Sequence, residues 1–100
     1  MTLETLLKEV DRVRSDHSKT VGELRRVMVK TIEDYLDGEL DAKEAARVFL
    51  KLDSQIHDKP EQIEDTLMRL TLIDEPDHGG PSIRELEKIL KNLKASLRTN

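Results

Sequence analysis

The fold is decided near the middle of the chain, where residues 35–46 are Tyr35-Leu36-Asp37-Gly38-Glu39-Leu40-Asp41-Ala42-Lys43-Glu44-Ala45-Ala46. Gly38 can adopt the left-handed backbone conformation that ends many helices. Asp41 is followed three residues later by Glu44, the capping-box pattern that starts a helix. The stretch therefore predicts one helix that ends near Asp37 and a second that begins at Asp41.

Apolar residues recur at three- and four-residue steps on both sides of this turn, as in amphipathic helices. Before the turn the predicted core positions are Leu3, Leu6, Leu7, Val10, Val13, Leu24, Val27, Met28, Ile32, Tyr35 and Leu36. After it they are Ala45, Val48, Phe49, Leu52, Ile56, Ile63, Leu67, Leu70 and Ile73. A loop at 74–81 and a capping box at Ser82 and Glu85 precede a last apolar seam, formed by Ile83, Leu86, Leu90, Leu93 and Leu97. The sequence predicts an all-α fold, a small bundle of four or five helices in one domain over residues 1–100.

Residues 2–37 admit two interpretations. Thr20 and Glu23 form a capping box, which predicts a second helix starting there. Alternatively, apolar and polar positions from 3 to 27 follow an uninterrupted heptad spacing, and Gly22 costs only about 1 kcal/mol inside a helix. One helix over 2–37 would be roughly 50 Å long. A helix of that length would be buried more easily in a dimer.

Composition excludes several classes of protein. The chain has no Cys, so disulfides, thiolate zinc sites and cysteine nucleophiles are excluded. With one Phe, one Tyr and no Trp it lacks the stacking surfaces of single-strand nucleic-acid binders. No apolar run approaches a membrane span of roughly 20 residues, and no signal-peptide core follows Met1. We expect a cytoplasmic protein with no membrane association, cofactor or metal.

The charge is segregated along the chain. Residues 37–79 carry 12 acidic and 5 basic side chains, a net charge of −7, whereas residues 80–100 carry 2 acidic and 5 basic side chains, a net charge of +3. An acidic surface opposes direct binding to a phosphate backbone and attracts basic proteins. We expect the C-terminal cations to pair with the acidic segment, within the chain or between copies.

The three histidines are the first candidates for catalysis or metal binding, and none of them occurs in a catalytic or metal-binding pattern. His57 lies four residues after Asp53, which provides too few ligands for zinc. His78 lies in an acidic loop without the ligand spacing of a calcium site. The segment Arg12-Val13-Arg14-Ser15-Asp16-His17 resembles the HEPN ribonucleases, in which an Arg and a His act on RNA, so Arg12 and His17 define a ribonuclease alternative. The prediction is a protein that is not an enzyme.

Residues 35–46 resemble the start of small, acidic, helical immunity proteins of the colicin D type. The resemblance implies a helical bundle that neutralises a basic, tRNA-cleaving toxin. The same stretch resembles the helix–turn–helix segment of zinc-binding anti-sigma domains, whose Cys ligands this chain lacks.

The leading hypothesis is an acidic helical inhibitor, either an immunity protein, an antitoxin or a phage-encoded inhibitor. Its partner would be a basic protein that acts on nucleic acid. The predicted partner-binding acids flank one turn and are Asp53, Asp58, Glu61, Glu64 and Asp65. The alternative is a structural or assembly subunit that forms a homodimer through Leu86, Leu90, Leu93 and Leu97.

Overall fold

The turn after the second helix has the geometry that its residues predict. In the computed structural model, which describes residues 3–12, 20–55 and 61–98, Gly38 has a φ of +84°. The amide of Glu39 donates to the carbonyl of Asp34 at 2.9 Å, and the amide of Gly38 donates to the carbonyl of Tyr35 at 3.1 Å. These two bonds define a Schellman motif, so the predicted C-terminal cap is confirmed.

The capping box at the next helix is also confirmed. The amide of Glu44 donates to Oδ1 of Asp41 at 2.8 Å, and the amide of Asp41 donates to Oε1 of Glu44 at 3.1 Å. Both bonds satisfy amide groups that a helix start would otherwise leave without partners.

The described residues form five α-helices. They are α1 (Leu3–Arg12), α2 (Thr20–Leu36), α3 (Ala42–Gln55), α4 (Glu61–Leu70) and α5 (Ile83–Arg98), with a short 3₁₀ turn at Pro76–His78 before α5. No strand occurs among residues 3–12, 20–55 and 61–98. The predicted all-α class is therefore confirmed, with five helices.

The N-terminal region contains two helices that fold back on each other. Nζ of Lys30 on α2 lies 3.1 Å from Oε1 of Glu9 on α1. In one straight helix these residues would lie about 31 Å apart along the axis. The structure thus has α1 and α2 as separate elements rather than one helix over 2–37. The predicted core residue Val13 lies outside the described residues.

The helices enclose one apolar core. Helix α3 packs against α1, α2 and α4, and α2 packs against α1 and α5. Phe49 of α3 is completely buried, together with apolar residues from all five helices: Leu6, Val10, Leu24, Met28, Ile32, Ala45, Val48, Leu52, Leu67, Leu70 and Leu86. Burying a side chain of this size stabilises the fold by about 1.5–3 kcal/mol. The buried hydroxyl of Thr31 donates to the carbonyl of Val27 at 2.7 Å, so this polar group is satisfied within the core.

Helix α5 packs through a shorter seam than the sequence predicts. Ser82 starts the helix, because its Oγ accepts a hydrogen bond from the amide of Glu85 at 3.3 Å. Leu86 and Leu93 are buried, and the flanking Leu90 and Leu97 are partly buried against the core. Ile83, the first residue of the helix, is 59% exposed. The prediction that Ile83 belongs to the seam is therefore wrong, since the packed part of α5 begins one turn later.

Candidate interaction surface

The outward side of α4 carries three acidic residues around an exposed methionine. Glu61, Glu64 and Asp65 are all exposed, and Met68 is 57% exposed. Residues three and four apart on a helix are neighbours, so Met68 adjoins Glu64 and Asp65, and both of these acids adjoin Glu61. We call these four residues the acidic face of α4. The opposite side of the helix is buried through Ile63, Leu67 and Leu70.

No described basic residue neutralises the acidic face of α4. Glu61, Glu64 and Asp65 form no ion pair with any residue in the described ranges. The one basic side chain of α4, Arg69, instead contacts the carboxylate of Glu85 on α5. Within the described ranges, the acidic face therefore presents three carboxylates without an ion-pair partner to solvent.

Local helix electrostatics explains only part of this charge. Glu61 and Glu64 occupy the first turn of α4, where the helix dipole favours negative groups. Asp65 lies beyond that turn and four residues from Glu61. Such a like-charge pair destabilises a helix by about 0.2–0.5 kcal/mol. Asp65 also precedes Arg69 by four residues, a favourable spacing, but Arg69 contacts Glu85, so helix electrostatics accounts for this acid only in part.

The acidic face of α4 does not include the other two predicted partner-binding residues, Asp53 and Asp58. Asp53 lies on α3 and is half-buried. Asp58 lies outside the described residues. The structure therefore places three of the five predicted acids on one exposed surface.

The predicted self-association seam contributes to the core of the chain itself. Leu86 and Leu93 retain only 1% and 7% of their surface exposed, and Leu90 and Leu97 pack against the same core. A second copy could contact Leu86 only if α5 moved away from the core.

The outward side of α5 carries three basic residues together with Glu87. Arg84, Lys88 and Lys91 are exposed and follow one another at steps of four and three residues, so they share one side of the helix. The nearby Lys94 pairs with Glu33 of α2, with Nζ and Oε2 2.9 Å apart. Within the described ranges none of these four cations pairs with an acid of residues 37–79. The expected pairing of the C-terminal cations with the acidic segment within the chain is thus not observed there.

The histidines and Arg12, which the sequence suggested as catalytic or metal-binding candidates, form no such site among the described residues. His78 is exposed in the 3₁₀ turn. His17, His57 and the side chain of Arg12 lie outside the described residues. In the described part of the chain, no three His, Asp or Glu side chains are arranged to hold a metal ion.

The described helices also differ from membrane spans. Among them, none is both long enough and apolar enough to cross a bilayer.

Sequence reasoning missed Met68. The available signal was its spacing, since Met68 follows Asp65 by three residues and Glu64 by four and thus lies off the buried stripe of α4. Comparison with known proteins adds no assignment: no protein-family model, curated protein or solved structure matches this chain.

Proposed function

We propose that this protein is a non-enzymatic inhibitor, of the immunity, antitoxin or phage-inhibitor kind, that binds a basic nucleic-acid-acting protein in the cytoplasm. The observation that carries the proposal is the acidic face of α4, in which an exposed apolar side chain adjoins two carboxylates that form no ion pair within the described ranges. Protein interfaces commonly combine an apolar centre with a polar rim. The carboxylates would steer a basic partner to this face, and Met68 would be buried in the complex.

The weak resemblance of residues 35–46 to colicin D-type immunity proteins supports the same class of partner. These residues form the Schellman turn and the capping box, and they precede the helix against which α4 packs. The resembling segment would therefore support the binding helix, and contact with the partner is assigned to α4.

The first test reverses charge on the acidic face and compares it with a control of equal net charge. Glu64→Lys combined with Asp65→Lys raises the formal charge by four units, and Glu4→Lys combined with Glu87→Lys does the same at two exposed sites elsewhere. The immobilised wild-type chain is used to capture a basic protein from lysate of the organism that encodes it, and association rates are then measured with each variant. We expect the α4 variant to associate about 10-fold more slowly or worse. The control should remain within about 2-fold of wild type, since its charges lie away from the contact.

The second test removes the apolar centre. Met68→Ala should speed dissociation about 5- to 30-fold, as for an interface hot spot. Leu50→Ala, on α3, is the matched control because Leu50 is 54% exposed and Met68 is 57% exposed. Equal effects of the two substitutions, or of the two charge-reversal pairs, would contradict the assignment.

Sedimentation distinguishes the alternative function. Two results together would favour a self-associating assembly subunit over the inhibitor. The capture experiment would return only the chain itself, and sedimentation would give the mass of two or more 11.5 kDa copies.

A further inference from the structure

A pocket of about 210 Å³ opens between α2, α4 and α5. Helix α4 packs against α3 and helix α5 packs against α2, and the pocket lies where residues of α2, α4 and α5 face one another. Its lining residues are Arg25, Gln62, Ile63, Thr66, Ile89, Asn92, Leu93 and Ser96. The buried Ile63 and Leu93 and the half-buried Ile89 make its base apolar.

The wall of the pocket is polar and has a single charge. Gln62 and Thr66 lie four residues apart on α4, and Asn92 and Ser96 lie four residues apart on α5, so each pair occupies one side of its helix. Arg25 on α2 is the one charged residue among the eight that line the pocket, and none of the eight is acidic. Although the chain has 21 acidic residues, none of them lines this pocket, so the charge of Arg25 makes the pocket favour an anion.

The guanidinium of Arg25 is available for a ligand. Arg25 is half-buried, and it makes no hydrogen bond or ion pair with another residue of the described ranges. A guanidinium presents two parallel N–H groups that match a carboxylate, and its charge interacts more strongly in a partly buried site than in water.

We propose that this pocket binds a small organic monocarboxylate with an apolar body. The carboxylate pairs with Arg25, the amides of Gln62 and Asn92 provide further donors, and the apolar body rests on Ile63, Ile89 and Leu93. A closed apolar cavity of about 150 Å³ accommodates benzene, so 210 Å³ provides room for a benzene-sized ring with one carboxylate. A phosphate monoester would bring a second negative charge, for which the lining provides no second cation.

The proposal is independent of the inhibitor function, because the pocket and the acidic face of α4 use different residues. Gln62, Ile63 and Thr66 line the pocket, whereas Glu61, Glu64, Asp65 and Met68 form the acidic face. Each proposal can fail while the other holds.

The test is an NMR titration of the full chain with benzoate, benzamide and phenyl phosphate as probes. We expect benzoate to bind in the millimolar range, as is usual for a ligand of this size, and to shift the side-chain amide signals of Gln62 and Asn92. Benzamide, the neutral analogue, should bind at least about 10-fold more weakly, since it lacks the charge paired with Arg25. Phenyl phosphate should bind no more tightly than benzoate, since the lining provides no second cation for its second charge.

Two variants make the test specific to Arg25. Arg25→Gln should weaken benzoate binding at least about 10-fold, whereas Arg26→Gln, which removes the same charge from the exposed neighbouring position, should change it less than about 2-fold. The proposal is overturned if benzoate leaves the Gln62 and Asn92 signals unshifted, if benzamide binds as tightly as benzoate, or if the two arginine variants behave alike. The probe comparison needs no variant, so it decides the question even where Arg25→Gln affects folding.

Discussion

Replacing glycine with alanine should raise the stability of this chain at one position and lower it at two others. At Gly22, inside α2, an added Cβ meets no atom of the described residues within 4 Å, and alanine is the better helix former by about 0.5–1 kcal/mol. At Gly38 the Cβ likewise meets no atom of the described part of the chain, but the φ of +84° disfavours an L side chain by about 1–2 kcal/mol. Gly22→Ala should therefore stabilise the protein, and Gly38→Ala should destabilise it by about 1 kcal/mol after the entropy gain in the unfolded chain.

Gly80→Ala should be the most damaging of the three. An added Cβ would overlap the carbonyl oxygen of Leu72 and lie 2.9 Å from the carbonyl oxygen of Glu75. Both obstacles are backbone atoms, so no side chain can rotate away. The amide of Gly80 also donates to the same Glu75 carbonyl at 3.3 Å, and this bond would be displaced. Overpacking of about 1–3 kcal/mol and a lost hydrogen bond of about 1 kcal/mol give a loss of about 2–4 kcal/mol.

Thermal and urea unfolding followed by far-UV circular dichroism measures the series. For a domain of this size each kcal/mol shifts the Tm by about 4–8 °C. The expected order of stability is Gly22→Ala, wild type, Gly38→Ala and Gly80→Ala, from highest to lowest. A Gly80→Ala protein as stable as wild type would refute the packing described for the turn at 71–80. A Gly22→Ala protein less stable than wild type would refute the helical environment of Gly22.

Two further predictions concern a cap and an ion pair. Asp41→Ala should lower the free energy of unfolding by about 1 kcal/mol in urea denaturation, and Asp41→Asn, which can still cap, should differ from wild type by only a few tenths; equal losses would contradict the capping role. Lys30→Met should cost less than about 1 kcal/mol, because the side chains of Lys30 and Glu9 remain 43% and 22% exposed. That difference should shrink as salt is added, and a loss that is independent of salt would contradict an electrostatic origin.

Local signals in the sequence predicted the local structure well. The caps at Gly38, Asp41 and Ser82 were predictable because each depends on residues within four positions of one another. The buried stripes of α3 and α4 were predictable for the same reason, since helical periodicity places their apolar residues on one side whatever they pack against.

Features that depend on how helices meet were not predictable. The heptad spacing over 2–37 suits one helix or two, and the contact between Glu9 and Lys30 that decides the matter joins residues 21 positions apart. The pocket brings together residues of α2, α4 and α5, so the position of Arg25 in one pocket with Gln62 and Asn92 has no signature in sequence spacing. Ile83 fits the periodicity of its seam, but its exposure depends on where the core ends.

The structural roles of the carboxylates support the choice of α4 as the contact surface. Many of the described acids stabilise the fold, since Asp41 and Glu44 cap α3, and ion pairs engage Glu9, Asp11, Glu33 and Glu85. The acids of α4 have neither a capping hydrogen bond nor an ion pair within the described ranges. Other described acids such as Glu4, Asp74 and Glu87 share this property, and the α4 acids differ from them in lying together on one side of a helix. Glu61 and Asp65 are like charges four residues apart, and they repel each other on one side of the helix. A basic partner would turn this cluster into a binding surface, which is why charge reversal at Glu64 and Asp65 should weaken binding.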